Sequence, residues 1–278
     1  MKRFSLLILL FSAITCFSQA DSSQQKKPSS ASLKLGLFGI SDINYYGRVD
    51  SRHSSGFFPL LELWADKHFY LTAAPVFIHN KVVDAEYAGS VASLGHMFRN
   101  SKWAGNNYLS VPIYRANSGL VQSRLKAQLY SSFSRLTKII NITVSGDLKY
   151  SDQVDWGASA GLDHIFRFQW KKNWVLALVP SAYVYGGTQH FTGSSVKNSG
   201  ILILPPLQQQ VDEQVNRFSV LSYEFSIPLV LAKGNFQWLL NTAYVVPQNL
   251  VQVKDHPELS ETGEPMLYFT TGIKYKLF

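Results

Sequence analysis

The sequence predicts an all-β protein, a transmembrane antiparallel up-and-down β-barrel of about twelve strands. Three observations lead to this fold. Apolar and polar residues alternate with a period of two over segments of about ten residues, which is the length of a tilted membrane-spanning strand. The connections between these segments are alternately short and long. Tryptophans gather at the short ones, as they do where a barrel meets the membrane–water interface.

The first twenty residues have the features of a secretory signal peptide. Lys2 and Arg3 supply a positive charge, residues 6–11 lead an apolar stretch, and Ser18 and Ala20 offer small side chains for cleavage after Ala20. The apolar stretch is too short to span a bilayer. The sequence therefore predicts export from the cytoplasm, with the outer membrane as destination.

Cysteine content and charge narrow the function classes. Cys16 is the only cysteine, so cleavage after residue 20 leaves none, which excludes disulfides, thiol catalysis and cysteine metal sites. A lipoprotein is the alternative, but residues 13–15 suit a lipid-attachment site poorly. The net charge of +8 falls to +6 without Lys2 and Arg3, and no basic block suits nucleic acid.

Residues 21–30 are predicted to form a disordered polar lead-in, and residues 31–278 a single barrel domain. The predicted strands are 31–41, 56–64, 67–79, 86–98, 106–114, 119–133, 137–150, 154–169, 173–185, 216–231, 235–246 and 265–278. If the pair within 86–114 fails, the count is ten. A soluble β-sandwich also alternates, but its strands average about five or six residues.

The connections predict the orientation of the barrel. The short ones, predicted to face the periplasm, are 65–66, 99–105, 134–136, 170–172 and 232–234. The outer ones are 42–55, 80–85, 115–118, 151–153, 186–215 and 247–264, including every long one. The tryptophans predicted to form a periplasmic aromatic girdle are Trp64, Trp103, Trp170, Trp174 and Trp238.

The last strand ends in an aromatic residue, Phe278. A terminal aromatic resembles the assembly signal of outer-membrane barrels, which implies recognition by the barrel-assembly machinery. The apolar phase of the strand runs through Ile273, Tyr275 and Leu277, so Phe278 is one residue out of step. We expect the terminal residue to curl at the rim.

Ionisable residues on the polar faces of the strands are predicted to point inward, because a Lys or Arg on the lipid face would cost about 2–4 kcal/mol. The candidates for the lining of the lumen are Glu62, Arg124, Lys126, Asp147, Lys149, Asp163, Arg167, Glu224 and Lys274. Opposite charges on neighbouring strands can pair across the wall. A barrel of this size has a narrow lumen that side chains can close. A narrow channel and a closed or plugged barrel are both left open.

Two long outer loops carry unusual composition. Residues 201–207 are an apolar run that needs a partner, either the lumen, lipid, another protein or the loop itself. The 247–264 loop holds four acids, Asp255, Glu258, Glu261 and Glu264. The first expectation for them is a solvated acidic loop. The alternative is a site for divalent ions shared with lipopolysaccharide phosphates.

No catalytic, cofactor or metal site is predicted. The seven histidines are scattered without metal-site spacing. Outer-membrane phospholipases place a histidine two residues before a catalytic serine, and His53-Ser54-Ser55 fits that spacing, but in a predicted loop. There is no Gly-x-Ser-x-Gly motif.

Two segments resemble known barrels. Asn44-Tyr45-Tyr46-Gly47 followed by Gly56-Phe57-Phe58-Pro59 resembles the aromatic-Gly loop and Pro-containing strand of the MipA/OmpV family. That resemblance implies a barrel associated with maintenance of the cell envelope. Residues 179–189 and the cleavage region look like barrels of the Bacteroidota.

The leading functional prediction is a narrow outer-membrane channel for small solutes, with the inward basic residues favouring anions. The alternative is a scaffold that binds envelope partners through its basic turns, and a lipid-modifying enzyme is third. The expected partners are the lipid bilayer, lipopolysaccharide and a periplasmic protein, with no nucleic acid. The basic residues of the predicted turns are Arg99, Lys102, Arg135, Lys171, Lys172 and Lys233, with Asp66 the only acid.

Overall fold

The computed structural model of the protein describes residues 31–48, 54–114, 125–171, 173–190, 205–253, 260–261 and 263–278. The predicted signal peptide and lead-in lie outside the described residues, as do His53, Arg124, Lys172, Asp255 and Glu258. The described chain forms fourteen β-strands and a helix. Their bounds are β1 Ser32–Ile40, β2 Ser55–Trp64, β3 Phe69–His79, β4 Glu86–Arg99, β5 Trp103–Tyr114, β6 Ala127–Arg135, β7 Asn141–Tyr150, β8 Val154–Asp163, β9 Phe166–Lys171, β10 Trp174–Leu178, β11 Ser181–Gly187, α1 Pro205–Asn216, β12 Ser219–Lys233, β13 Phe236–Pro247 and β14 Met266–Lys276.

Twelve of the strands close into an antiparallel barrel, which confirms the predicted fold class and strand number. β1 to β8 follow one another around the wall, and β14, β13 and β12 continue it on the other side of β1. β11 joins β12 to β8 and closes the circle. β4 and β5 form a regular ladder, so the pair on which the count of ten or twelve depended is present.

The predicted strands 154–169 and 173–185 are each broken in two. β8 and β11 pair within the barrel, whereas β9 and β10 form a hairpin beyond them. The break falls next to Pro180, which has no N–H to donate to a ladder. β10 also pairs with β12, but β9 has no second partner among the described strands. Because β7 pairs with β8 only as far as Asn141↔Asp163, one edge of β9 has no strand partner within the described part of the chain.

The sixth strand begins later than predicted. The prediction of 119–133 is wrong at residues 125 and 126, which precede the start of β6 at Ala127, whereas residues 119–124 lie outside the described residues. Leu125, expected on the outer face, is only 3% exposed. The side chain of Lys126 is 57% exposed, because this residue precedes the strand. The apolar–polar alternation of the sequence therefore continues into residues 125 and 126, which are not part of the strand.

The outer surface of the barrel is an apolar belt. Along the strands, apolar side chains that are more than a third exposed alternate with buried ones, as a period of two requires. Members of the belt include Leu35, Leu37, Leu61, Leu63, Leu71, Leu94, Leu109, Leu129, Ile142, Val144, Leu162, Phe225, Ile227, Phe269 and Ile273. Exposed apolar surface of this extent needs an apolar environment.

One half of the barrel interior is packed with apolar side chains. They come from β1 to β4, β10 and β12 to β14, and include Phe38, Ile40, Phe58, Leu60, Val76, Ile78, Val91, Val230, Leu239 and Val245. Phe38 and Phe58 stack with 5.4 Å between ring centroids. The ring of Phe38 lies against Gly272, where a Cβ would overlap it. This half is therefore closed by close packing.

The end of the barrel with short connections is called the turn end here, and the other the loop end. α1 lies at the loop end, between β11 and β12 in the chain. Its Val211 and Val215 pack against Val251 and Val253. Pro205 opens the helix, so three residues of the predicted apolar run 201–207 are helical, and the first four lie outside the described residues. No helix in the described ranges is long and apolar enough to cross a membrane.

Candidate functional site in the barrel interior

The second half of the interior is polar. β5 to β8 and β11 present inward Asn106, Tyr108, Ser110, Gln128, Tyr130, Asn141, Thr143, Ser145, Asp147, Lys149, Ser159, Tyr183 and Tyr185. Hydroxyls bond across strands, with 2.7 Å between the Oγ atoms of Ser145 and Ser159. These inward polar residues of β5 to β8 and β11, most of which carry hydroxyl or amide groups, are together called the hydroxyl wall. The interior thus combines a packed apolar half with a wall that can hydrogen-bond to water or solute.

A buried charge cluster lies near the turn end. The Glu62 carboxylate accepts hydrogen bonds from Lys34 Nζ at 2.9 Å and Lys274 Nζ at 2.6 Å. It also accepts one from Trp64 Nε1 at 2.5 Å. Glu62 is 1% exposed, so its charge depends on these partners rather than on water. The cluster ties together β1, β2 and β14.

A second ion pair lies toward the loop end. Lys149 Nζ contacts the Asp147 carboxylate, and both side chains are more than nine-tenths buried. Gln128 Nε2 donates to Asp147 Oδ2 at 3.1 Å. Next to this pair the hydroxyl wall surrounds a small cavity, lined by Tyr46, Tyr108, Gln128, Tyr130, Ser145, Asp147, Ala158, Ser159 and Tyr185.

The first outer loop folds back into the loop end of the barrel. Tyr45 and Arg48 form an isolated bridge, with reciprocal N–H···O bonds of 2.9 and 3.0 Å. Tyr46 and Gly47 between them have φ of 53° and 75°, as the central residues of a type I′ turn require. The Lys149 ammonium lies 5.6 Å from the ring centroid of Tyr46. Burial raises the pKa of the Tyr46 phenol, which keeps its proton.

Arg48 holds this loop in place. Its side chain is fully buried, and its Nε donates to Glu261 Oε2 at 2.8 Å. Its terminal nitrogens donate to Gln189 Oε1 at 2.7 Å and to the carbonyl oxygens of Leu221 and Gln248 at 3.0 and 2.9 Å. Arg48 therefore connects the first outer loop to both long outer loops.

The expectation of a solvated acidic loop is wrong for Glu261. This carboxylate is buried, accepts from Arg48 and also accepts from the backbone N–H of Val251 at 3.0 Å. Glu261 is buried because it pairs with Arg48, which is 213 positions away in the sequence, and composition alone does not reveal such a pair. Glu264 is exposed, as expected.

Most of the predicted lumen candidates that the structure describes face the interior: Glu62, Asp147, Lys149, Asp163, Glu224 and Lys274. Two do not. Lys126 lies outside the strands and pairs with exposed Asp152 at 3.5 Å. Arg167 is exposed on β9, beyond the barrel wall. Arg124 lies outside the described residues.

Several interior residues were not anticipated. The sequence reasoning missed Lys34, which shares the alternating phase of β1, and it missed Tyr45, Tyr46 and Arg48, which belong to a loop. The inward tyrosines of β5 and β11 are also absent from the predicted lumen residues, because that prediction rests on charged side chains. Their phase was visible from Gln128 and Lys149 on neighbouring strands.

Some of the tryptophans predicted for the aromatic girdle lie on the outer surface at the turn end. Trp103 stacks on Phe133 of the outer surface with 4.7 Å between centroids, and Trp238 donates to Thr271 Oγ1 at 3.1 Å. Trp174 is also at the turn end, whereas the side chain of Trp170 lies outside what the structure describes. Trp64 is not a girdle residue. It is 5% exposed and faces inward, because it shares the face of Glu62 two residues earlier.

Basic residues of the turn end lie against these aromatics. The Arg135 guanidinium is 4.5 Å from the ring centroid of Trp103, and Lys233 Nζ is 4.8 Å from that of Trp174. In the first turn Asp66 accepts from the backbone N–H groups of His68 and Phe69, at 2.7 Å each. These bonds lower the pKa of the Asp66 carboxyl.

The described residues contain no group of three His, Cys, Asp or Glu side chains that could hold a metal ion. Ser55, the serine of the phospholipase-like spacing, is at the start of β2 and donates to the carbonyl oxygen of His79 at 3.3 Å. His53 lies outside the described residues.

The fold and interior define a closed antiparallel barrel with an apolar outer belt and a half-polar interior. No protein-family model matches the chain. A search of curated proteins also finds no match. The resemblances to the MipA/OmpV family and to Bacteroidota barrels stay predictions.

Solved structures give distant likenesses. An outer membrane channel from Pseudomonas putida F1 is 10% identical, covers 93% of this chain and 100% of its own, and has a TM-score of 0.49. A KdgM porin is 8% identical over 87% of this chain and 98% of its own, with a TM-score of 0.45. LpxR from Salmonella typhimurium is 9% identical over 87% of this chain and 99% of its own, with a TM-score of 0.43. Likenesses this distant carry no argument about location, ligand or activity.

Proposed function

We propose that the protein is an outer-membrane β-barrel, exported by the signal peptide predicted at residues 1–20. The apolar belt supports this location, since it would associate in water but matches hydrocarbon. A closed barrel also pairs its backbone groups without help from water. The test is membrane fractionation with a heat-dependent mobility shift on detergent gels. A fully soluble periplasmic product would overturn the proposal.

Within that membrane, we infer that the barrel is a narrow channel for small solutes, closed at its loop end in the conformation described. The hydroxyl wall carries this inference. Buried hydroxyl and amide groups are less favourable than apolar packing unless they meet polar partners. One half of this interior is filled by apolar side chains. The other half has a polar surface that extends from Tyr46 at the loop end to Asn141 near the turn end. A path for water and small polar solutes accounts for that difference.

Charge selectivity is the finer part of the proposal. Lys34 and Lys274 share the Glu62 carboxylate, and Lys149 pairs with Asp147. These pairs offset the inward positive charge from which an anion preference was predicted. We therefore propose weak charge selectivity, and a reversal potential under a salt gradient distinguishes it from anion preference.

The experiment is a planar-bilayer recording of the purified full chain. The wild type should conduct rarely, because Arg48 holds the first outer loop across the loop end. Arg48→Met should open it more often. Lys126→Met, which removes a basic residue from an exposed pair at the same end, is the matched control and should behave as wild type. Absence of conductance in all three proteins would overturn the channel.

A scaffold function is the second candidate, supported by the basic residues at the turn end. Arg135 and Lys233 lie over tryptophan rings at this end, so a partner would meet basic and aromatic side chains together. A scaffold predicts that pull-down from envelope extracts recovers a partner that is lost when Lys171, Lys172 and Lys233 are neutralised. Binding of lipopolysaccharide by the outer loops, and recognition of β14 by the assembly machinery, are further proposals.

A further inference from the structure

The cavity next to the Asp147–Lys149 pair has the composition of a ligand site. Four of its nine lining residues are tyrosines. Tyr108 and Tyr130 are cross-strand neighbours that stack with 4.8 Å between centroids, and the rings of Tyr46 and Tyr185 are 5.2 Å apart. All four are at least nine-tenths buried. Aromatic surface with a few fixed polar groups is typical of small-molecule sites.

One polar atom in this cavity is left without a partner. Gln128 is 4% exposed and uses its Nε2 on Asp147, while its Oε1 is buried and accepts no hydrogen bond. A buried acceptor without a donor is unfavourable. A ligand donor reaching Oε1 would relieve that cost, and the neighbouring Ser145 and Ser159 hydroxyls can each exchange their mutual bond for one to a ligand.

The charges around the cavity select against ions. The negative charge of Asp147 is matched by Lys149, so neither an anion nor a cation meets an uncompensated opposite charge there. An apolar ligand would leave Gln128 Oε1 unsatisfied. A polyol or sugar fits every group, because its hydroxyls both donate and accept and its C–H faces can lie on tyrosine rings.

Tyr46 occupies part of this site from the first outer loop. Its φ of 53° is unusual for a bulky residue at a turn position that favours Asn or Gly. The side chain nevertheless enters the barrel and lines the cavity. With the ring in place, the cavity is too small for a sugar, so binding requires the ring to leave.

We propose that this cavity is a binding site for a neutral polyhydroxylated solute, a sugar or polyol, which displaces the Tyr46 ring and donates a hydrogen bond to Gln128 Oε1. The proposal rests on the channel function and names its solute class. Binding is measured separately from conductance, so that one can fail without the other.

The test is isothermal titration of the detergent-solubilised full chain with glucose, sucrose and gluconate as probes. Tyr46→Gly should bind glucose or sucrose more tightly than wild type, since no ring has to leave. Adding Gln128→Leu to this variant should weaken binding roughly tenfold, the equivalent of about 1.4 kcal/mol for one hydrogen bond.

Asn241→Leu in the Tyr46→Gly background is the matched control. Asn241 also has a buried carbonyl oxygen without a partner, but it lies on β13 in the other half of the barrel. It should leave sugar binding unchanged. Three results would overturn the proposal: no saturable sugar binding by Tyr46→Gly, equal effects of the two leucine substitutions, or gluconate bound as well as glucose. Conductance without sugar binding would leave the channel standing and remove only this site.

Discussion

Replacing Arg48 by Met tests whether the loop end is held by one buried side chain. Arg48 is fully buried and donates to Glu261, to Gln189 and to four backbone carbonyls. Met fills similar volume but donates nothing. Removing one partner of a buried ion pair costs about 3–5 kcal/mol, because the other charge stays buried and unpaired. We expect a loss of stability of that size, unless the loops open and hydrate Glu261.

The size of the effect decides which of these happens. A change of 3–5 kcal/mol shifts an equilibrium by roughly two to three and a half powers of ten. If the closed loop arrangement is favoured by less than this, Arg48→Met will open the loops and leave the barrel wall folded. The assay is urea unfolding in detergent, followed by tryptophan fluorescence with linear extrapolation, beside open probability in a bilayer.

A second substitution separates the buried charge from the lost contacts. In Arg48→Met with Glu261→Gln, no unpaired carboxylate remains, and the amide oxygen can still accept from Val251. The double variant should recover about 1–3 kcal/mol of the loss in the single variant. Lys126→Met should cost less than about 1 kcal/mol, as exposed pairs do. If Arg48→Met costs no more than Lys126→Met, or if the double variant recovers nothing, the reasoning fails.

Two further predictions concern the barrel wall. Gly272→Ala places a Cβ on the ring of Phe38, and overpacking of this kind costs about 1–3 kcal/mol in urea unfolding. Glu62→Gln removes the charge between Lys34 and Lys274, and should cost about 3–5 kcal/mol at neutral pH by the same measurement, because two buried ammonium groups lose their carboxylate.

Each of these predictions has a matched control. Gly39→Ala on β1 should be tolerated, since the nearest atom to its Cβ is the Gly56 carbonyl oxygen at 3.9 Å. Glu264→Gln removes an exposed carboxylate and should leave stability within about 0.5 kcal/mol. A loss of stability in either control as large as in its partner would mean that packing at Gly272, or charge at Glu62, is not the cause.

The wall of the barrel was predictable because a period of two needs only local sequence. Leu94 and Leu109, partners on β4 and β5, are both exposed on the outer face, even though the sequences of these two strands predict strands less clearly than the others do. The break next to Pro180 was missed because the apolar phase continues across it. Proline was visible in the sequence, and its missing N–H marks the place.

The inward position of Trp64 follows from the sequence of β2. The predictions place Glu62 in the lumen and Trp64 in the outer girdle, yet residues two positions apart on a strand share a face. Once Glu62 is inside, Trp64 is inside as well, where its N–H finds the carboxylate. The apolar half of the interior was signalled in a similar way, since residues 56–61 are apolar on both faces of β2.

The contact between Arg48 and Glu261 at the loop end could not be predicted from the sequence. Arg48 and Glu261 belong to irregular segments, and no periodicity fixes the direction of a loop side chain. Their contact depends on barrel closure, which brings the β1–β2 and β13–β14 connections together. A charge in a loop is usually solvated, so the buried pair departs from the ordinary expectation.

If the barrel lies in a membrane, as proposed, the edge of β9 without a strand partner limits how deep it can sit in the bilayer. From Phe166 to Lys171 this edge is roughly 20 Å long, with N–H and C=O groups that no described strand pairs. Each such group would cost several kcal/mol in hydrocarbon, so an uncovered β9 has to remain in the headgroup region or in water. The β9–β10 hairpin therefore limits the depth of insertion on this side. In a bilayer thicker than the apolar belt, this side cannot be immersed further. The bilayer then has to thin locally, or the barrel has to tilt.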